Sequence, residues 1–293
     1  MPKLIFGCGY LGRRVATRWL AAGHEVYVVT RSTEHAREFS QAGLRSVVAD
    51  VTRPASLVNL PAADTVLFAV GYDRTAGVSI DAVYVNGFQA ALDALPAETG
   101  RVIYISSTGV YGSGAGDWID EDSPCEPQRA AGRACLAAEQ RLSAHNLGSR
   151  GIVLRLAGIY GPGRIPRRDD LLAGRPIAAP SAGYLNLIHV DDAASVVLAA
   201  EERATPPRTY LVSDGQPAVR GEYYRELARL LGAPAPQFTA PPSDSPAAQR
   251  AAADKRISNK RLMQDLGVRL EHPSYLEGLA AIVAGEQGSS GRQ

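Results

Sequence analysis

The stretch whose residue types and spacing are best suited to chemistry is Gly7-Cys8-Gly9-Tyr10-Leu11-Gly12. It follows the apolar run Pro2–Phe6 and leads into a helical pattern over Arg13–Ala22, so its G-x-G-x-x-G spacing falls between a strand and a helix. In that setting each glycine has a separate task. Gly7 permits the tight turn out of the strand, Gly9 has no Cβ to hold a pyrophosphate off the backbone, and Gly12 lets the helix lie close to the sheet. Tyr10 and Leu11 stand at the helix start, where free N–H groups and the positive dipole end suit phosphate. The bland alternative is a glycine-rich turn that binds nothing. A second group, Tyr104-Ile105-Ser106-Ser107-Thr108-Gly109-Val110-Tyr111-Gly112, ends a later strand. If the pyrophosphate sits over Gly9, this is where a nicotinamide should lie. Read by itself, Ser107 is a strand-end serine able to bond to backbone.

These residues need a scaffold, and the hydrophobic pattern provides one. Apolar runs at 2–6, 24–29, 45–49, 65–70, 102–105 and 152–156 alternate with helical patterns at 13–22, 33–39, 80–95 and 127–146. Strands this apolar imply a parallel sheet covered on both faces, and right-handed crossovers make it a doubly wound α/β fold. Ligands then bind outside the carboxyl ends of the strands. Asp50 and Val51, Ala69, Val70 and Gly71, and Ser106 all fall at such ends and are candidate cofactor contacts. After Leu156 the rhythm breaks. A Gly/Pro/Arg-rich segment over 158–183 holds a short helix candidate near Asp170. A strand over Tyr184–Ile188, a helix over Asp191–Glu202 and a helix over Glu222–Leu231 follow. Ala233–Asp254 reads as a mobile loop, Asn259–Leu266 and Ser274–Ala284 read as helices, and 285–293 as a frayed tail. The division expected is a dinucleotide-binding domain over 1–157 plus about 184–204, and a smaller substrate lobe over 158–183 and 205–284.

Composition excludes several classes. A net charge of +1 and scattered basic residues give no reason to invoke nucleic acid. No apolar stretch is long enough to span a bilayer, and the chain enters a strand at once, so a cytoplasmic protein without a signal peptide is expected. Cys8, Cys125 and Cys135 fit neither a disulfide framework nor a zinc spacing, and the five histidines are dispersed, so no metal is expected.

At this point the chain resembles the extended short-chain dehydrogenase/reductase superfamily, the group containing nucleotide-sugar epimerases and dehydratases. Four motifs carry the resemblance in the family's order: Gly7–Gly12, Ser106–Gly112, Gly161-Pro162-Gly163 and Leu187-Ile188-His189-Val190-Asp191-Asp192. The tail motif Lys255–Leu262, followed by Leu266-Gly267, is family-like too. The resemblance implies that Ser107 is the substrate-orienting serine and that Asp50-Val51 lies beside the adenine. It also implies a small-molecule substrate, and a homodimer through the helices starting near Ile80 and Pro127. The departure comes in the latter helix, where the family carries Tyr-x-x-x-Lys as acid/base and ribose-binding lysine. Aligned on Leu136-Ala137-Ala138-Glu139, those positions are Ala131 and Cys135. Alanine cannot transfer a proton, and a neutral thiol does not replace an ammonium. If the family's geometry holds, Cys135 points toward the ribose and Ala131 toward the space before the nicotinamide ring.

Tyr72, Tyr111 and Tyr160 read as packing residues rather than as substitutes for the missing acid. Cys135 reads as inert, the acidic cluster Asp117, Asp120, Glu121 and Asp122 as a solvated loop, and His189 with Asp191 and Asp192 as a helix cap. Arg164, Arg167 and Arg168 could meet an anionic substrate. The second strand ends Val29-Thr30-Arg31-Ser32, without the acidic residue that holds a ribose 2′-hydroxyl. Arg31 and Ser32, with Arg13 nearby, suit a 2′-phosphate, so NADP is favoured over NAD. Two functions stand at this stage: an atypical NAD(P)-dependent oxidoreductase of the epimerase/dehydratase type, or a non-catalytic NADP(H)-binding sensor or partner-binding module.

Overall fold

In the computed structural model the described residues are 1–290 apart from 113, 244, 246–247, 250–251 and 253, with the side chains of 288–290 outside the description. Seven short segments rich in β-branched and aliphatic residues pair side by side: β1 (Lys3–Phe6), β2 (Val26–Thr30), β3 (Arg45–Val48), β4 (Thr65–Phe68), β5 (Arg101–Ser107), β6 (Gly151–Leu156) and β7 (Arg208–Val212). Their order is β7-β6-β5-β4-β1-β2-β3, and every pairing is parallel. Two windings start from β1 and run in opposite directions, which leaves a crevice where the order reverses, between β1 and β4. β7 lies in a stretch that the sequence left without an element and within the range assigned to the lobe. Its Leu211 and Val212 are fully buried.

Helices cover both faces. On one side α1 (Tyr10–Ala21), α2 (Thr33–Gln41) and α6 (Val190–Arg203) bury Val15, Trp19, Phe39, Val196 and Ala200 against Ile5, Val28, Leu67 and Ile103. On the other, α3 (Gly87–Ala94) and α4 (Ala130–Ala144) bury Phe88, Leu92, Ala138 and Leu142 against Leu4, Phe6, Val66, Phe68 and Tyr104. Burial of this apolar area, at about 25 cal/mol per Å², is the main drive for the layered arrangement. One polar group ties the layers at the amino ends of the strands. Glu201 of α6 takes hydrogen bonds from Trp19 Nε1 (2.6 Å) and Thr65 Oγ1 (2.7 Å), and pairs with the buried Lys3.

The expected strand over Tyr184–Ile188 splits at Asn186. Tyr184–Leu185 pairs antiparallel with Ala218–Val219, and Leu187–His189 pairs parallel with Gly158–Tyr160. The reason is local, because the Asn186 carboxamide bonds the backbone of Lys255 (2.9 Å) and Ile257 (2.7 Å). With α5 (Arg168–Leu172) and α7 (Arg220–Leu231), these pieces build a second core around Tyr160, Leu187, Tyr223, Leu227 and Leu279. α8 (Lys260–Leu266) sends Leu262 and Leu266 into the main core instead. α9 (Tyr275–Ser290) runs beyond the Ala284 end read from sequence, so 285–290 are helical where a frayed tail was expected; 291–293 lie outside the described residues. The mobile loop expected over 233–254 also falls partly outside them. Within it, Phe238–Thr239 pairs with Ile177–Ala178.

Candidate active site at the carboxyl edge of the sheet

One cavity of about 1180 Å³ runs along the carboxyl ends of the strands. Gly7, Gly9, Tyr10, Leu11, Arg31, Ser32, Asp50, Val51, Ala69, Val70, Gly71, Ser106, Ser107 and Cys135 all line it, whereas Gly12 and Ala131 do not. The glycine cradle explains its shape at the crevice. Gly7 has φ +87°, and a Cβ there would sit 2.5 Å from the Ala69 carbonyl, so β4 and the turn can touch only without a side chain. A Cβ on Gly12 would meet the Gly7 oxygen at 2.4 Å, which places Gly12 as packing rather than lining. A Cβ on Gly9 meets nothing within 4 Å. α1 starts at Tyr10, earlier than the Arg13 read from sequence, with no side-chain cap on Gly9. The N–H groups of Tyr10, Leu11 and Gly12 thus precede the first helical bond, Arg13 N–H to Gly9 O (2.9 Å), and stay available to an anion. This cradle fits a pyrophosphate.

Toward β2 and β3 the cavity wall is basic. Arg31 is exposed at the end of β2, and Arg13, Arg53 and His35 border the same space. Arg13 lies over the Phe39 ring at 5.0 Å and reaches Glu38 at 3.4 Å. Ser32 caps α2, accepting from His35 N–H (3.2 Å). Asp50 Oδ1 accepts from the Thr52 N–H (2.9 Å) and hydroxyl (2.8 Å), so it shapes its own turn. Asp73 lies across from Arg31; hydrogen bonds from Thr75, aided by the Arg31 charge, hold its carboxyl below the usual range.

Toward β5 and β6 the wall is a buried polar network. Ser106 donates to Glu139, which pairs with Arg155 (2.6 Å), and Arg155 in turn reaches the Tyr111 hydroxyl. The Ser106 hydroxyl is therefore turned into the protein, although the residue borders the cavity. Ser107 accepts from Gly109 N–H (3.0 Å) and caps the short turn Thr108–Val110, the backbone-bonding alternative of the sequence reading. Cys135 is buried, and burial pushes its thiol up to about 11, so it stays neutral and unreactive near neutral pH. Ala131 is exposed and does not line the cavity, whereas Cys135, four residues further along α4, does.

Other candidates resolve into structural roles. Tyr72 donates to Val78 O (2.9 Å), Tyr160 to Ser274 O (3.3 Å), and Tyr111 is bound to Arg155. Glu121 departs from the solvated loop expected of the acidic cluster. Its side chain is buried, and Oε1 accepts the Leu211 N–H (2.8 Å), closing the open edge of β7. His189 caps α6 through Nδ1, accepting from Asp191 N–H (3.3 Å), and burial lowers its pKa to about 4. His189, Asp192 and His272 have ligand atoms within 4.8 Å of one another. Their imidazoles stack face to face at 3.8 Å, however, and Asp192 accepts the backbone N–H groups of Glu271 (2.7 Å) and His272 (3.0 Å). That arrangement braces a loop on α6. Arg164 lines the main cavity and a neighbouring one of about 470 Å³, which Arg167 and Arg168 also border; Asp170 and Glu286 pair with those two. Sequence reasoning missed Tyr84, which lines the cavity from a π-helical turn, Ala82–Asn86, just before α3. Nothing in a smooth helical pattern over 80–95 announces a π turn.

The matching family spans the same elements. The NAD dependent epimerase/dehydratase family matches residues 4–213, from β1 through β7. The chain belongs to that family. Escherichia coli K12 protein YeeZ is similar, 28% identical over 93% of this chain and 96% of its own. A 3-diazoavenalumate denitrifying reductase from a Streptomyces species is 29% identical over 95% of this chain and 99% of its own. A solved structure from Methylobacillus flagellatus, provisionally described as an NAD-dependent epimerase/dehydratase, superposes with a TM-score of 0.77 at 32% identity and covers 98% of both chains. The protein is thus an NAD(P)-binding, oxidoreductase-like member of the epimerase/dehydratase family. Among the described residues no helix is long and apolar enough to cross a membrane.

Proposed function

We propose that the protein is an NADP(H)-dependent reductase of a small carbonyl-type substrate. The observation that carries the nucleotide preference is the basic rim at the end of β2, where Arg31 and Arg13 border the cavity and Thr30 stands where an acidic residue would hold a 2′-hydroxyl. A nicotinamide dinucleotide, when bound, supplies or accepts a hydride. Gly7, Gly9 and the N–H groups of Tyr10 and Leu11 would hold the pyrophosphate. Arg31 and the Ser32 hydroxyl would hold the 2′-phosphate, Asp50 and Val51 would flank the adenine, and Ala69, Val70 and Gly71 would back the middle of the molecule. Ser106 and Ser107 would close the nicotinamide end, with Ser107 still able to donate its hydroxyl proton. The reductase class is supported by the Streptomyces relative, which matches 95% of this chain. A screen of NADPH oxidation against aldehydes, ketones, quinones and nucleotide-sugars, followed at 340 nm, tests this. Turnover with NADPH and little with NADH is expected.

A second reading has its own observation. The dyad positions hold an exposed alanine and a buried neutral thiol, which favours a nucleotide-binding sensor without turnover. Tight NADPH binding with no turnover across the screen would select it.

A further inference from the structure

Reduction of a carbonyl needs, besides the hydride, one proton at oxygen. The residues at the usual positions cannot give it, since Ala131 has none and Cys135 is buried. We propose that the Tyr84 phenol is the proton donor of this site, presented to the cavity by the π turn at Ala82–Asn86. The inference rests on the reductase reading above.

The geometry comes from three features. First, a π turn inserts one extra residue into a helix, so the side chains before it are rotated out of the regular helical face; such turns are frequent at functional sites. Here it brings Tyr84 to the cavity wall that also carries Cys135 and Ser106. Second, the hydroxyl is held by its lone pair. It accepts the Tyr72 N–H at 3.2 Å, and its ring packs edge-on against Tyr72 with centroids 6.3 Å apart. Third, among the described residues the Tyr84 hydroxyl donates no hydrogen bond, so its proton is not committed to the protein. The other tyrosines near this end, Tyr72 and Tyr111, have their hydroxyls engaged with Val78 and Arg155. Burial, with the Cys135 thiol adding, raises the Tyr84 pKa above the ordinary tyrosine value, which keeps the proton on at working pH.

In the step itself the hydride pair, drawn from the C–H bond that a bound reduced nicotinamide would give up, bonds to the carbonyl carbon and the carbonyl π pair moves to oxygen. The Tyr84 O–H bond breaks as the new O–H bond forms, and the phenolate left behind regains a proton from water.

The test does not need the natural substrate. Oxidised nicotinamide carries a positive charge, so NADP⁺ bound beside Tyr84 should lower its phenol pKa by about one unit. 2′-Phospho-ADP-ribose, which lacks that ring, should not. The difference in 295 nm absorbance between wild type and Tyr84→Phe, followed from pH 8 to 11 with each ligand, isolates this one tyrosine. Tyr84→His serves in place of phenylalanine if the latter fails to fold. Equal titration with both ligands would overturn the assignment. A wild type that binds neither ligand by calorimetry overturns the dinucleotide reading itself, which is a distinguishable result. As a second readout, NADPH turnover of 9,10-phenanthrenequinone should fall about a hundredfold or more in Tyr84→Phe, with NADPH affinity unchanged. Unchanged turnover would equally refute the role.

Discussion

The glycine cradle allows fold and binding to be separated by single methyl groups. Gly7→Ala puts a Cβ 2.5 Å from the Ala69 carbonyl at a φ of +87°. The positive φ alone costs about 1–2 kcal/mol, and the overlap is with backbone that cannot rotate away, so the total should exceed about 3 kcal/mol. Gly9→Ala places its methyl in open space, with no atom within 4 Å and φ at −93°. Its ψ of −138° lies outside the ordinary extended and helical regions, so a cost of about 1–2 kcal/mol is expected, still below that of Gly7→Ala. The same methyl stands where a pyrophosphate must approach the Tyr10 and Leu11 N–H groups. Charge-assisted hydrogen bonds contribute about 1.5–3 kcal/mol each, so losing one or two lowers dinucleotide affinity by roughly tenfold to a thousandfold or more. Gly9→Val should bind more weakly still. Thermal unfolding and NADPH calorimetry on the variants give the two readings side by side. A folded Gly9→Ala with undiminished NADPH affinity would refute the phosphate-cradle argument. Gly7→Ala with an unchanged Tm would refute the contact argument.

Three further outcomes follow from the same geometry. Arg31→Ala should lose roughly ten- to a hundredfold in NADPH affinity while NADH binding stays within about twofold; equal losses in paired titrations would remove Arg31 from the 2′-phosphate. Burial, with Asp192 nearby, raises the Asp214 carboxyl to about 7. Because the folded state keeps that proton where the unfolded state has released it, stability is lost as pH rises from about 4 to 7. Asp214→Asn should therefore stabilise the protein by about 3–5 kcal/mol at pH 8 and by little at pH 4, read from urea unfolding at both, and a pH-independent effect would contradict this. Glu139→Ala leaves the buried Arg155 guanidinium without its partner and should cost about 3–5 kcal/mol in the same assay, whereas a loss under 1 kcal/mol would show that water reaches the pair.

The Rossmann half was readable because its signals are local. Apolar four- and five-residue runs, glycines at turns and Ser32 before Thr33 each have one ready explanation, and together they place the cavity wall from Gly7 to Ser107. β7 escaped although Asp214-Gly215 marks a turn at its end, because Arg208-Thr209-Tyr210-Leu211-Val212 is only half apolar and starts directly after two prolines; what makes it a strand is the exposed edge of β6 and the Glu121 carboxylate that seals its other side. Tyr184–Ile188 read as one strand since only Asn186, through bonds to a segment about seventy residues away, divides it. The catalytic end was least legible. Residue types locate the missing Tyr and Lys, but only the π turn at Ala82–Asn86 brings Tyr84 to the cavity. That depends on where a helix slips its register, and no single residue in the sequence marks it.

The claim on which the rest depends is that this cavity holds NADP(H) through the basic rim at β2. Isothermal titration of the full chain with NADPH and NADH at one ionic strength measures it directly. The arrangement of Arg31, Ser32 and Arg13 requires NADPH to bind at least about tenfold more tightly, with the margin shrinking as salt rises. Equal affinity for the two nucleotides, or a preference for NADH, would contradict it.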